Sequence, residues 1–435
     1  MQLTKNWSVI VVFCLSVAAF MVALSFVVSA EEPVRLVYWS NWNEPEGQAR
    51  VIKSWIEDFM SKNPQITIEA VWNGRQNQTL VRNALSTGTQ IDLIDANSDA
   101  LLSGLVKEGQ AYLLNDFLAQ KALDQDVPIK EVFLPGIIDL YKQDDHAYLW
   151  PHIYNTVQFW YNKDIFEEAG VTPPNTWKEF LAVNDAILKA GYVPIAAEGD
   201  IASYQLYYFT YLVARAKAPG FLRSSVADKT GTTWRDPVYL DTARKIRELW
   251  NRGHIPAESV GYLWPAAQQT LAFGEAAMEL CGSWLPIELA DATGEDFRWG
   301  AFNFPAIEGG EGAVDDLEAT VISFMLPKTS KHYAEAFEFL RFIMTKENQQ
   351  KMADESLVGV TRRDVQWAEA ITDGARAAAN ATTVYRSTDG AIAENGEFVS
   401  NILRSNVRLL FVGKLTPEEF VEKMANDAAE YWASR

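Results

Sequence analysis

Tyr148-Leu-Trp-Pro-His-Ile-Tyr-Asn-Thr-Val-Gln-Phe-Trp-Tyr-Asn-Lys-Asp-Ile-Phe166, followed by Glu167-Glu-Ala-Gly-Val-Thr-Pro-Pro-Asn-Thr-Trp-Lys-Glu-Phe180, is the most informative run in this chain of 435 residues. Ile153 to Tyr161 is aromatic and β-branched, which predicts an extended strand. Asp164 to Ala169 suits a short helix, and Gly170 stops it. Pro173 and Pro174 hold the chain open. Thr176 and Glu179 then form a Thr-x-x-Glu capping box that starts another helix.

Upstream, apolar strands alternate with helical patterns. Val34 to Trp39 reads as a strand, and Ser40 to Pro45 as a loop. Ile52, Trp55, Ile56, Phe59 and Met60 fall at helical spacing. Ile66, Ile68 and Ala70 alternate as a strand, Leu80 to Leu85 as a helix, Ile91 to Ile94 as a strand and Leu101 to Glu108 as a helix. Such alternation implies parallel pairing with right-handed crossovers, and ligands of such sheets bind beyond the carboxyl ends of the strands. Here those ends are Ser40–Asn43 and Asp95–Asp99.

Downstream, Trp177 to Lys189, Tyr204 to Ala216, Leu240 to Asn251 and Tyr333 to Met344 read as helices. Tyr192 to Ala197, Phe302 to Pro305 and Thr320 to Leu326 read as strands. Gly309 to Gly312 reads as a turn. The tail after Glu397 is helical, with Pro417 at the favourable first position of its last helix. Phe273-Gly-Glu-Ala-Ala-Met278 precedes Gly282-Ser-Trp284, and Val358-Gly-Val-Thr-Arg-Arg-Asp364 follows later.

These segments, in this order and spacing, resemble the family 1 extracellular solute-binding proteins, the sugar-capturing, maltose-binding-like components of ABC importers. The resemblance rests on the strand ending in Tyr161-Asn-Lys-Asp164, on Thr176-Trp-x-Glu-Phe180, on the Phe273–Met278 run with Gly282-x-Trp284, and on Val358–Asp364. It covers nearly all of the chain beyond the N-terminal stretch. One departure is that Phe273 abuts Gly274, where family members commonly differ by a spacer. The resemblance implies an α/β, two-lobed, type II periplasmic-binding-protein-like fold with three inter-lobe crossings. Lobe 1 is expected at 33–155 plus 321–360, and lobe 2 at 156–320 plus 361–435. The stretch from Tyr148 onward is then the first crossing.

Length alone favours two cores over one. The first thirty residues form a separate unit, with Lys5 as a positive flank, an apolar run from Val9 to Val28, and small residues at Val28-Ser29-Ala30. That pattern predicts a cleaved signal peptide and a periplasmic location; an uncleaved anchor helix is the alternative. Residues 1–30 hold one basic residue and no acids, so their removal takes the formal net charge from −19 to −20. Such acidity argues against nucleic-acid partners. Cys281 is the only cysteine beyond this stretch, so no intramolecular disulfide is expected.

Sugars present apolar C–H faces and a belt of hydroxyls, so their sites need aromatic plates and charged or amide groups. The chain has 15 Trp and 16 Tyr. Trp42 follows the first strand. Tyr154 and Asn155 lie on the crossing, and Asn155 falls where maltose binders carry an acidic cleft residue. Trp284 matches the ligand-stacking tryptophan of the family. Asp95 and Asn97 sit at a strand's carboxyl end, suited to hydroxyls or to helix capping. Glu318 and Arg362 flank the second and third crossings. Tyr204 and Trp264 complete the candidate set. Trp55, Trp177 and Trp250 lie on helical apolar stripes and are expected in cores.

Asp95, Asn97 and Asp99 open like a calcium loop, but Ala100 and Val106 stand where glycine and glutamate are required. No phosphate loop, zinc helix or nucleophile elbow occurs, and His146, His152, His254 and His332 are scattered. The chain is therefore expected to be a monomeric binding protein, without enzymatic activity or cofactor. Its expected partners are a carbohydrate and the permease subunits of an ABC importer. A polyamine or peptide ligand is the alternative within binding proteins. A secreted glycoside hydrolase with paired carboxylates is the alternative outside them.

Overall fold

The computed structural model describes residues 33–435; the expected signal peptide lies outside the described residues. Among the described residues the strands are β1 (Val34–Ser40), β2 (Ile66–Trp72), β3 (Leu93–Asn97), β4 (Trp150–Asn162), β5 (Val193–Ile195), β6 (Ala276–Gly282), β7 (Trp299–Phe302), β8 (Leu317–Met325) and β9 (Val384–Arg386). They join in the order β2-β1-β3-β8-β4-β6-β5, with β7 on β4 and β9 on β8. β1 runs parallel to both β2 and β3. β8 runs antiparallel to β3 and β4.

β4 is the long strand anticipated from its composition, and all thirteen of its residues are buried. It changes partners midway. Trp150 to Thr156 pairs with β8, whereas Val157 to Tyr161 pairs with β6 and Phe159 to Asn162 with β7. The change coincides with a change of core. One hydrophobic core gathers Trp55, Phe59, Phe133, Trp150 and Phe339. Another gathers Phe159, Phe180, Tyr211, Trp234 and Phe420, with a smaller cluster of Trp160, Leu271 and Leu285 nearby. The architecture is an α/β, two-lobed type II fold, with a mixed sheet running through both cores.

Local signals account for the joints. Asn162 ends β4 and caps the helix Lys163–Glu168, its side-chain oxygen accepting from the Asp164 N–H. The capping box of Thr176 and Glu179 opens the helix Trp177–Ala190, and Gly191 closes it at φ 98°, a left-handed turn that glycine adopts without steric cost. Thr416 and Glu419 form a second capping box at the helix Pro417–Ala433. The chain returns beside β4 at Val360, which bridges to Ile153, and Thr361 donates its hydroxyl to the Pro151 carbonyl at 2.9 Å. A Cβ on Gly359 would collide with the Tyr154 carbonyl and the Trp367 ring.

Some boundaries differ from expectation. β3 begins two residues later than Ile91 and extends through Asn97, so Asp95 and Asn97 lie in the strand and not beyond it. The expected helix from Leu101 to Glu108 is a short helix, Ser98–Leu101, running into a wider turn over Leu102–Val106. β7 ends at Phe302, upstream of the expected Phe302–Pro305, because its pairing to β4 stops at Phe159. In the run from Gly309 to Gly312, Cβ atoms on Gly310 and Gly312 would strike the carbonyls of Arg215 and Ala214. The glycines there permit close approach to the end of the helix Ala202–Lys217. Trp55 and Trp177 are buried, and Trp250 packs on the edge of its core.

Candidate functional site

A cleft of ≈ 780 Å³ lies between the two main cores. β4 contributes Ile153 and Asn155 to its wall. The loop after β1 and the start of the helix Gly47–Lys62 contribute Asn41, Trp42, Glu46 and Gln48. The opposing wall is built by Tyr204 and Tyr207 of the helix Ala202–Lys217, by Trp264, by Trp284 and Glu288 beyond β6, by Ser387 and Thr388 after β9, and by Arg404.

The aromatic wall is organised around Trp284. Gly282 carries no side chain, and a Cβ there would run into the indole ring. The indole Nε1 donates to the Tyr204 hydroxyl at 3.1 Å. Tyr204 in turn stacks on Tyr207, with ring centroids 6.0 Å apart and planes within 18°. Three rings therefore form one supported surface. Trp264 is 48% exposed and stands at the rim, its backbone N–H donating to Asp200 Oδ1 at 3.0 Å. Trp42 faces from the other wall, only 7% exposed, with the Arg75 guanidinium 5.0 Å from its ring centre.

Polar groups surround these rings. Asn97 caps the helix Ser98–Leu101, accepting from the N–H groups of Asp99 and Ala100. Asn97 therefore caps a helix and also lines the cleft. Asp99 is almost wholly buried, and neither carboxylate oxygen has a hydrogen-bond partner. Burial pushes its carboxyl up to about 7, against the pull of Arg386, whose Nε lies 3.7 Å away. Burial likewise raises Glu288 to about 7, opposed by a hydrogen bond from Gln268 and the charge of Arg75. Asn155 accepts a long bond from the Ser283 hydroxyl at 3.4 Å. Thr388 and Asp389 both hold left-handed backbone, at φ 55° and 56°. For a β-branched threonine that is a strained conformation. The backbone N–H of Thr388 is tied to Glu318 Oε1 at 3.2 Å.

Of the ten residues singled out from sequence, Trp42, Asn97, Asn155, Tyr204, Trp264 and Trp284 line this cleft. The other four stand behind it. Asp95 is buried, and its Oδ1 accepts from the Asn41 N–H at 2.6 Å; it holds the loop that lines the cleft. Burial lifts its carboxyl to about 6. Tyr154 lies between Ile153 and Asn155, and alternation along a strand turns it to the opposite face. It is 2% exposed and packs near Trp367, centroids 5.9 Å apart. Glu318 is buried beneath the 387–388 loop. Arg362 stands away from the cleft lining: it pairs with Asp124 at 3.0 Å and Asp364 at 2.6 Å and donates to the Met344 carbonyl.

The cleft also contains residues that the sequence reading passed over: Arg75, Asp99, Tyr207, Glu288, Thr388 and Arg404. Asp99 was weighed only as a calcium ligand. Tyr207 stands one helical turn from Tyr204, a spacing that could have flagged it. Arg404 and Thr388 fall in segments with no motif of their own.

A model of the family described as bacterial extracellular solute-binding protein matches residues 41–350. An uncharacterized ABC transporter extracellular-binding protein of Pyrococcus horikoshii is 26% identical over 49% of this chain, which spans about half (48%) of that relative's length. A multiple sugar-binding protein of Streptococcus mutans is 24% identical over 75% of this chain and 74% of its own. Among solved structures, a chitin oligosaccharide binding protein superposes with a TM-score of 0.74 at 22% identity, covering 92% of this chain and 99% of that one. At that identity the likeness speaks for the fold.

Proposed function

The chain belongs to the bacterial extracellular solute-binding protein family, and from that premise we propose that it captures a mono- or oligosaccharide in the cleft between its lobes and delivers it to the permease of an ABC importer. The observation that carries this reading is the supported aromatic wall of Trp284, Tyr204 and Tyr207 opposite Trp42, with Asn97, Asp99 and Asn155 alongside. Flat apolar faces receive the C–H surfaces of a pyranose or furanose. The side-chain amides of Asn97 and Asn155 are offered to its hydroxyls, each such hydrogen bond contributing roughly 0.5–1.5 kcal/mol. The names of its relatives, which include a multiple sugar-binding protein and a chitin oligosaccharide binding protein, support a saccharide over a polyamine or peptide.

In this reading the lobes are 33–155 plus 321–360 and 156–320 plus 361–435, and they close over the ligand as a hinge about the passes between them. Ligand shifts that closure only by its preference for the closed form. The closed protein, a monomer exported to the periplasm by its N-terminal segment, then docks on the permease. It acts as a carrier and not as an enzyme, and none of the cleft residues is assigned a catalytic role.

The test is a titration with a saccharide panel, followed by tryptophan fluorescence and calorimetry. Saturable binding of at least one saccharide, and of no polyamine or peptide, is the expected outcome. Silence to every saccharide, or tighter binding of a polyamine, would sink the reading.

A further inference from the structure

Of the charged groups on the cleft wall, Arg75, Glu46 and Asp99 each face an opposite charge, Glu288 has a neutral amide, and Arg404 has neither. Arg75 and Glu46 form an ion pair at 3.1 Å. Asp99 faces Arg386 at 3.7 Å. Glu288 receives Gln268 Nε2 at 3.5 Å. Arg404 lines the same cleft, half-buried. Among the described residues its Nε is shielded from solvent without a hydrogen-bond partner. The one other titratable group that acts on it is the Tyr207 phenol, and burial works against its charge.

A guanidinium held in this way is costly. Desolvation weakens its hydration, and an unmade charged hydrogen bond goes uncompensated. Arginine is also the side chain whose planar fork fits carboxylate and phosphate oxygens two at a time. The position is supported rather than loose. Arg404 opens the helix Arg404–Phe411, whose Val407, Leu410 and Phe411 are embedded in the second core. Tyr207, next to it, belongs to the ring stack that holds Trp284.

We infer that the cleft is built for a saccharide carrying an acidic substituent, a carboxylate or a phosphate, seated on Arg404 while the sugar ring lies against the Trp284–Tyr204 wall. The inference rests on the saccharide reading above and specifies its ligand class. Glu46 and Asp99 each have a cation of their own, and burial favours the uncharged form of Glu288. Among the described cations that line the cleft, Arg404 alone has no carboxylate paired with it.

The test uses the purified protein and three arms: neutral mono- to trisaccharides of common hexoses and pentoses, their uronate counterparts, and their phosphate esters. The tightest ligand is expected to be acidic, with a Kd at least about tenfold below that of its neutral counterpart, as for a charge-assisted pair. The uronate and phosphate arms tell the two acidic groups apart. Arg404→Gln is expected to abolish the preference, weakening the acidic sugar at least about tenfold more than its neutral counterpart, and raised salt should erode the preference in the wild type. A neutral sugar as the tightest ligand overturns the inference and leaves the saccharide reading standing. Equal weakening of both sugars by Arg404→Gln does the same. Silence across all three arms overturns the saccharide reading, and this inference with it.

Discussion

The indole Nε1 of Trp284 sits 3.1 Å from the hydroxyl of Tyr204 and donates to it, so the ring that closes one wall of the cleft is fixed at its polar edge as well as by packing. Trp284→Ala removes the plate and the group that Tyr204 accepts from. Saccharide binding is expected to weaken at least about tenfold, or 1.4 kcal/mol, with cooperative unfolding retained. Calorimetric titration and a thermal melt check both halves. Unchanged affinity would remove Trp284 from the site.

Gly282→Ala probes the same wall from beneath. The added Cβ has no room against the Trp284 ring, so the indole must move. Overpacking of this kind costs about 1–3 kcal/mol, and binding should fall with stability. A variant with wild-type melting and wild-type affinity would show that the ring has another place to go.

Arg362 is expected to matter to stability and not to binding. Its guanidinium is 1% exposed and faces Asp124 and Asp364. Arg362→Met leaves both carboxylates without their cation; as these are 27% and 30% exposed, the loss should fall below the about 3–5 kcal/mol of a fully buried pair. Denaturant unfolding should show the loss, while saccharide affinity measured on the remaining folded protein stays level. A selective loss of affinity would return Arg362 to the site.

Glu318 sets a pH dependence. Burial, the largest influence, raises its carboxyl to about 8, opposed by the Thr388 N–H. The folded state therefore holds a proton that the unfolded chain releases at ordinary carboxylate pH. Its contribution is complete below the unfolded pKa and is lost as pH climbs through about 8. Asp99 and Glu288, each raised to about 7, run in the same direction. Glu318→Gln keeps an acceptor for Thr388 and cannot ionise. Its melting temperature should match the wild type near pH 5 and exceed it at pH 9. Parallel curves for the two proteins would rule Glu318 out as a source of the slope.

Much of the fold was legible because its joints are written locally. The capping box at Thr176, the stop at Gly191 and the β-branched run of β4 need no distant partner to be recognised. Strand ends were less legible: β3 runs on through Asn97 because β8 pairs with it there, a contact made more than two hundred residues away. The aromatic part of the site was readable from type and motif, as with Trp284 and Tyr204. Tyr154 shows the limit. It neighbours Asn155 in sequence, yet the pleat turns it away, and a shift of one residue decides which side faces the cleft. Thr388 and Arg404 carried no signal because they reach the cleft only through tertiary packing.

The unbroken burial of β4 has a consequence for how this protein can diversify. A strand enclosed on both faces leaves natural variation few tolerated positions, since a new charge along it would be stranded everywhere but at Ile153 and Asn155, which face the cleft. A lineage seeking a different nutrient would, apart from those two positions, change the lettering elsewhere: the turn after β1, the bend beyond Gly282, the 387–388 segment and Arg404. Diversity among descendants should concentrate in those four places, around a spine that stays nearly silent.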